Sequence, residues 1–131
     1  MNTYLIDSHV WLWAASEPHK LSSKATKIMR DPDCKLALSM ASVWEIAIKV
    51  SKGKLNLSST DNIDRVVLNV NADLGVSLLS ISLEHIHQTH QLPWLHKDPF
   101  DRMLIAQAHT LNIPIITADP HFKAYTIETV W

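Results

Sequence analysis

Five carboxylates stand where they could act together: Asp7, Glu45, Asp98, Asp101 and Asp119. Asp7 ends a short apolar run, Asp119 follows another, and Asp98 and Asp101 flank Pro99 and Phe100 at what reads as a helix start. Glu45 lies in a strongly apolar helical stretch beside Val43 and Trp44, where a solvated role is less automatic. Acids crowded within several ångströms repel one another and raise each other's pKa, a cost that a bound cation removes. An all-oxygen donor set suits a hard divalent ion, Mg²⁺ or Mn²⁺, better than zinc. Such an ion can hold a phosphate oxygen, lower the pKa of a bound water and stabilise a departing oxygen, which is the chemistry of phosphodiester hydrolysis. Taken singly, each aspartate reads more often as a helix cap, Asp98 above all, because Pro is a favoured first helical residue.

The elements that must gather these acids alternate along the chain. Strands are predicted over residues 4–7, 36–38, 77–81, 113–117 and 125–130, from short apolar or β-branched runs. Helices are predicted after Asp7, from Ser22 to before Pro32, and over residues 39–49, 62–73, 83–90 and 99–111. Ser39 and the Ser42–Glu45 pair compete to cap the helix that carries Glu45. Strands alternating with helices require right-handed crossovers, hence one α/β domain over residues 1–131 with a mostly parallel sheet between helical layers. In such sheets the working crevice lies at the carboxyl ends of the strands, where Asp7 and Asp119 fall.

Four segments then carry a resemblance: Leu5-Ile6-Asp7-Ser8-His9-Val10-Trp11-Leu12-Trp13, Ser39 through Lys49, His96 through Ala108, and Thr117-Ala118-Asp119. In order and spacing they resemble the signature blocks of PIN-domain ribonucleases, and within these the VapC type of toxin. The resemblance implies a five-stranded parallel sheet in a three-layer α/β/α sandwich and a Mg²⁺-dependent endoribonuclease acting on RNA. It also implies a homodimer and a cognate antitoxin partner. The family's acids carry over to Asp7, Glu45, Asp101 and Asp119. Asp7 and Asp101 would be direct metal ligands; Glu45 and Asp119 would bind through water, hold a second ion or orient the attacking water. Asp98 belongs to a subgroup pattern, Asp-Pro-Phe-Asp-Arg, as a supporting group or alternative ligand. Ser8, Thr117 and Arg102 are adjacent polar groups that could orient a carboxylate or a phosphate, with a structural ion pair the favoured reading of Arg102.

Composition narrows the alternatives. Two glycines, Gly53 and Gly75, are too few and too far apart for a glycine-rich phosphate loop. A net charge of -1 gives no broad basic footprint, so a polyanion needs metal or a local patch such as Lys49, Lys52 and Lys54, whose simpler reading is a solvated helix end. The lone Cys34 and the absence of a signal-like start or long apolar run lead us to expect a cytoplasmic protein without a membrane segment. His85, His87 and His90 make a poor zinc site, because positions 85 and 87 point to different faces of a helix and no cysteine or acid completes a tetrahedral set. His9 and His96 stand near the acids in sequence. Trp94, in the loop Leu92-Pro93-Trp94-Leu95, would suit partner binding if exposed. A receiver-type phospho-acceptor module fails because residues 77–81 end without an acid, and a catalytically inactive binding version of the fold would have no use for all four acids.

Overall fold

A computed structural model describes residues 2–55 and 62–131. Five parallel strands, β1 (Asn2–Ile6), β2 (Cys34–Ser39), β3 (Val76–Leu79), β4 (Ile115–Ile116) and β5 (Thr129–Val130), lie in the order β3-β2-β1-β4-β5. From β1 the chain moves outward to β2 and β3, then crosses back over β1 to β4 and β5. Because crossovers are right-handed, that reversal puts the two sets of helices on opposite faces. Helices α1 (Ser8–Ser16), α2 (Ser23–Arg30), α3 (Met40–Ser51) and α4 (Ile63–Leu74) serve the first half, and α5 (Leu83–Gln91) and α6 (Pro99–Leu111) the second.

Two apolar clusters confirm the layering. Ile6, Leu36, Leu38, Val76 and Ile116 pack with Val10, Trp11, Ala25, Ile46 and Val67 on one face of the sheet. Leu5 and Ile115 pack with Leu104, Ile105, Ala108, Phe122 and Tyr125 on the other. Neighbouring residues of one strand, Leu5 and Ile6, or Ile115 and Ile116, thus enter different cores, and all four are fully buried. Side chains alternate across a strand, so a strand covered on both faces must be apolar throughout.

Local chemistry sets the element ends. Ser39, not Ser42, caps α3, accepting the Ala41 N–H at 3.1 Å, and Ser22 caps α2 through Ala25 N–H at 3.0 Å. The strands are shorter than the apolar runs that predict them. Within residues 113–117, Pro114 has no N–H to give a ladder, and only Ile115 and Ile116 form β4. Residues 125–130 yield only Thr129 and Val130, because Tyr125 turns its ring into the core instead. Two short 3₁₀ helices, Pro18–Lys20 and Pro120–Ala124, were not predicted; each begins at a proline.

Helix α4 ends on Gly75 in the left-handed region, with φ of 69°. A methyl group added there would meet nothing within 4 Å, so only backbone strain opposes a side chain. Gly75→Ala is therefore expected to cost about 1 kcal/mol in urea unfolding; an unchanged midpoint would show that the cap adapts.

Candidate active site

The switch of direction between β1 and β4 opens a crevice at the carboxyl ends of two adjacent strands, and the predicted acids come to it from four elements. Asp7 directly follows β1, and Thr117 and Asp119 follow β4. Thr117 Oγ1 donates to Asp7 Oδ2 at 2.8 Å, joining residues 110 positions apart, and accepts the Asp119 N–H at 3.0 Å. Glu45 lies in the second turn of α3, and Ser8 Oγ donates to its Oε1 at 2.7 Å. Asp101 lies in the first turn of α6, where helix-end N–H groups favour negative charge. Its Oδ2 meets His96 Nε2 at 2.8 Å.

Electrostatics ties these groups into one system. Burial pushes the Asp101 carboxyl up to about 6; the negative charges of Asp98, Asp7 and Glu45 add to the rise, against the lowering bond from His96. Burial also raises Asp7, helped by Glu45 and opposed by the Thr117 hydrogen bond and His9. Asp119 goes the other way. Burial disfavours its charge, but the His121 backbone and ring bonds and the nearby His96 outweigh that and hold it below the ordinary carboxylate range.

Two histidines complete the arrangement. His121 Nδ1 meets Asp119 Oδ1 at 2.7 Å, and the His121 and His96 rings stack with centroids 5.1 Å apart and planes 7° from parallel. Asp101 and Asp119 are thereby linked through a pair of imidazoles. The sequence set His96 near the acids and did not single out His121. The available signal was the Asp119-Pro120-His121 turn, in which the Asp119 cap accepts the His121 N–H at 2.9 Å and brings the ring back onto the same carboxylate.

Other predicted residues divide. Asp98 is a cap, its Oδ1 accepting Phe100 N–H at 2.9 Å and Asp101 N–H at 3.0 Å. Ser8 and Thr117 do orient carboxylates. Arg102 does not, and it pairs with no acid among the described residues. Its buried guanidinium instead donates to the carbonyl oxygens of Thr89 at 2.8 Å, Leu92 at 3.3 Å and Pro93 at 3.0 Å and to the Tyr125 hydroxyl at 3.1 Å. The exposed Trp94 ring covers it, 3.9 Å from centroid to guanidinium carbon. Lys49 lies 3.5 Å from Glu45, while Lys52 and Lys54 are solvent-exposed at the end of α3. His85 completes a capping box with Ser82 at the start of α5.

The donor chemistry fits a hard divalent cation. Asp101 Oδ1 and Asp119 Oδ2 have no hydrogen-bond partner among the described residues, and Asp7, Glu45 and Asp101 carry the mutual repulsion that a cation relieves. As the side chains lie, no three ligating groups among the described residues are close enough to share one ion. Each carboxylate rests on its own partner, whether Ser8, Thr117, His96 or His121.

Comparison with known proteins accords with this architecture. The sequence profile of the PIN domain matches residues 4–128. Ribonuclease VapC22 of Mycobacterium tuberculosis is 27% identical over 139 aligned positions, covering 100% of both chains. A chain in the crystal structure of VapBC2 from Rickettsia felis, bound to a DNA fragment from their promoter, superimposes with a TM-score of 0.69 at 13% identity, over 98% of this chain and 97% of that one. For DNA-bound VapBC from Salmonella typhimurium the TM-score is 0.66 at 12% identity, over 99% and 98% of the two chains. At such identities the likeness to the solved structures establishes the fold.

Proposed function

The chain belongs to the PIN domain family, and from that premise we propose that it is a divalent-metal-dependent endoribonuclease, the toxin of a toxin–antitoxin pair. One observation carries the reading: Asp7, Glu45, Asp101 and Asp119 arrive from four separate elements at one sheet edge, where the charge of Glu45 adds to the raised proton affinity of Asp7 and the charges of Asp7 and Glu45 add to that of Asp101. A scaffold gains nothing from that repulsion, whereas a metal-dependent hydrolase needs it.

Asp7 and Asp101 would hold the metal directly, with Glu45 and Asp119 ligating through water or orienting the attacking water. Mg²⁺ or Mn²⁺, when bound, supplies charge to a phosphodiester oxygen and acidity to a water molecule. The chain's own part is positioning. Thr117 fixes the rotation of Asp7 and Ser8 that of Glu45, while His96 and His121 each occupy one oxygen of an aspartate and leave the other open. Water adds to phosphorus and the ester oxygen leaves as an alcohol, so the strand is cut with no covalent enzyme intermediate.

Partners follow from the relatives. Several solved structures of the same fold are described as toxin–antitoxin or VapBC complexes, which supports an antitoxin for this chain. Large exposed apolar side chains, among them Trp44, Leu83 and Trp94, offer area for that partner and for a second copy in a homodimer. No helix among the described residues is long and apolar enough to cross a membrane, in keeping with a cytoplasmic toxin.

The test is direct. Single-stranded RNA incubated with the purified chain is expected to be cut internally with Mg²⁺ or Mn²⁺ and left intact with EDTA. Asp7→Asn is expected to lower the rate at least about a hundredfold with an unchanged circular dichroism spectrum. Full activity in EDTA, or in Asp7→Asn, would refute the assignment.

A further inference from the structure

Beside the acids lies an aromatic surface that neither the sheet nor the metal chemistry requires. His9 and Trp13 are four residues apart on α1 and so share one face, their ring centroids 6.3 Å apart. Trp131 continues the row, 5.7 Å from Trp13, and remains 37% exposed. Both ends of this row are anchored to the site. His9 is two residues past Asp7, and Trp131 follows Val130, whose carbonyl oxygen accepts the N–H of Thr117 at 3.1 Å, the residue that holds Asp7. His9 and Trp13 also line a groove of 690 Å³ between α1, α3 and α4, into whose wall Lys49 and Lys54 enter.

His9 and Trp131 are exposed, Trp13 between them is half-buried, Lys54 is exposed and Lys49 leans on Glu45 at 3.5 Å, so the row offers what a single strand of nucleic acid needs: π faces for its bases and cations for its phosphates. A protein partner of ordinary composition would call for neither the lysines nor a row that ends at the reacting carboxylate. We propose that His9, Trp13 and Trp131 form a base-stacking track for single-stranded RNA beside the cleavage site, with Lys49 and Lys54 meeting the phosphates. The inference rests on the nuclease reading and deepens it: the track sets which unpaired nucleotides next to the scissile bond are held, so structured duplex is a poor substrate. Stacking tolerates any base, so the track selects for single-strandedness ahead of sequence.

The experiment uses the full chain silenced by Asp101→Asn and a fluorescently labelled single-stranded oligoribonucleotide, with binding followed by anisotropy. Trp13→Leu and Trp131→Leu are each expected to weaken binding about tenfold, Trp131→Phe to hold it within about threefold, and Leu111→Ala, at the exposed end of α6, to leave it unchanged. Replacing successive bases by abasic sites separates stacking from general damage. With the stacked base gone, the parent chain is expected to fall to the affinity of Trp131→Leu. His9→Ala, an exposed change that cannot empty the core, gives a second measure should a Trp variant fold poorly. Equal affinity of parent and Leu variants overturns the proposal. So does a loss that persists on abasic RNA, or one seen only with a protein partner. If the unsilenced chain cuts no RNA under any metal, the nuclease reading falls first; cutting with undiminished binding in the Trp variants removes the track alone.

Discussion

Asp101→Asn is expected to abolish metal-dependent RNA cleavage and, in metal-free buffer at neutral pH, to make the protein more stable. The two effects have one origin. Asp101 titrates at about 6 in the folded chain, against 3.8 for an ordinary aspartate, because burial and the charges of Asp98, Asp7 and Glu45 disfavour its ionised form. The folded state therefore binds this proton more tightly than the unfolded state. Below about pH 4 the residue makes no difference; between pH 4 and 6 a destabilising contribution grows in, and above 6 it is complete. Solvent screening on the open side of the crevice reduces the cost to about 1–2 kcal/mol. Asparagine removes the charge, keeps a partner for His96 and lifts that cost. On the proposed assignment Mg²⁺ would relieve the same repulsion in the parent, so adding it should raise the parent's melting temperature and barely move the variant's. On the same assignment cleavage should fall at least about a hundredfold, since the proposed metal ligand and its charge would both be lost. Thermal melts at pH 5 and 8, with and without Mg²⁺, check the stability half. A variant less stable than its parent at pH 8 without metal would contradict the electrostatic account.

Arg102→Ala is expected to cost about 3–5 kcal/mol, a large share of the 5–15 kcal/mol that holds a domain of this size together. The guanidinium satisfies three carbonyl oxygens of residues 89–93 and the Tyr125 hydroxyl at once, and each buried acceptor left without a donor costs about 1–3 kcal/mol. Tyr125 in turn donates to Pro93 O at 2.8 Å and accepts the His96 N–H at 3.1 Å. This clasp holds the loop that delivers His96 to Asp101, so loss of Arg102 should also slow cleavage. Arg102→Lys should recover only part of the stability, because a single ammonium cannot span the fork of acceptors. Urea unfolding reads both variants, and a midpoint for Arg102→Ala within about 0.3 M of the parent would show that water replaces the guanidinium without penalty.

Much of this was legible from residue order. Leu5-Ile6 and Ile115-Ile116 announce doubly buried strands because only a sheet covered on both faces tolerates unbroken apolar runs. Strand ends and a helix start put Asp7, Asp119, Asp98 and Asp101 where acids could meet, and the resemblance to PIN-domain ribonucleases picked Asp7, Glu45, Asp101 and Asp119 from the five candidates. The roles of Asp98 and Arg102 were harder to read. Asp98 lies in the same motif as Asp101, yet it spends its oxygen on the helix end. Arg102 stands among acids in sequence, but one residue's step around α6 turns it 100° away, toward the carbonyls of another loop.

The sequence by itself determined the strands and α-helices, their parallel order of connection and the acids those elements carry, since these depend on local spacing and on the handedness of the chain. Only the tertiary structure decided what each polar group bonds to: that Thr117 holds Asp7 across 110 residues, that His121 stacks on His96, and that Arg102 clasps a loop. Those choices depend on ångström-scale distances between segments remote in the chain. A hydrogen bond forms or fails within less than an ångström, a precision that no pattern of residue types carries.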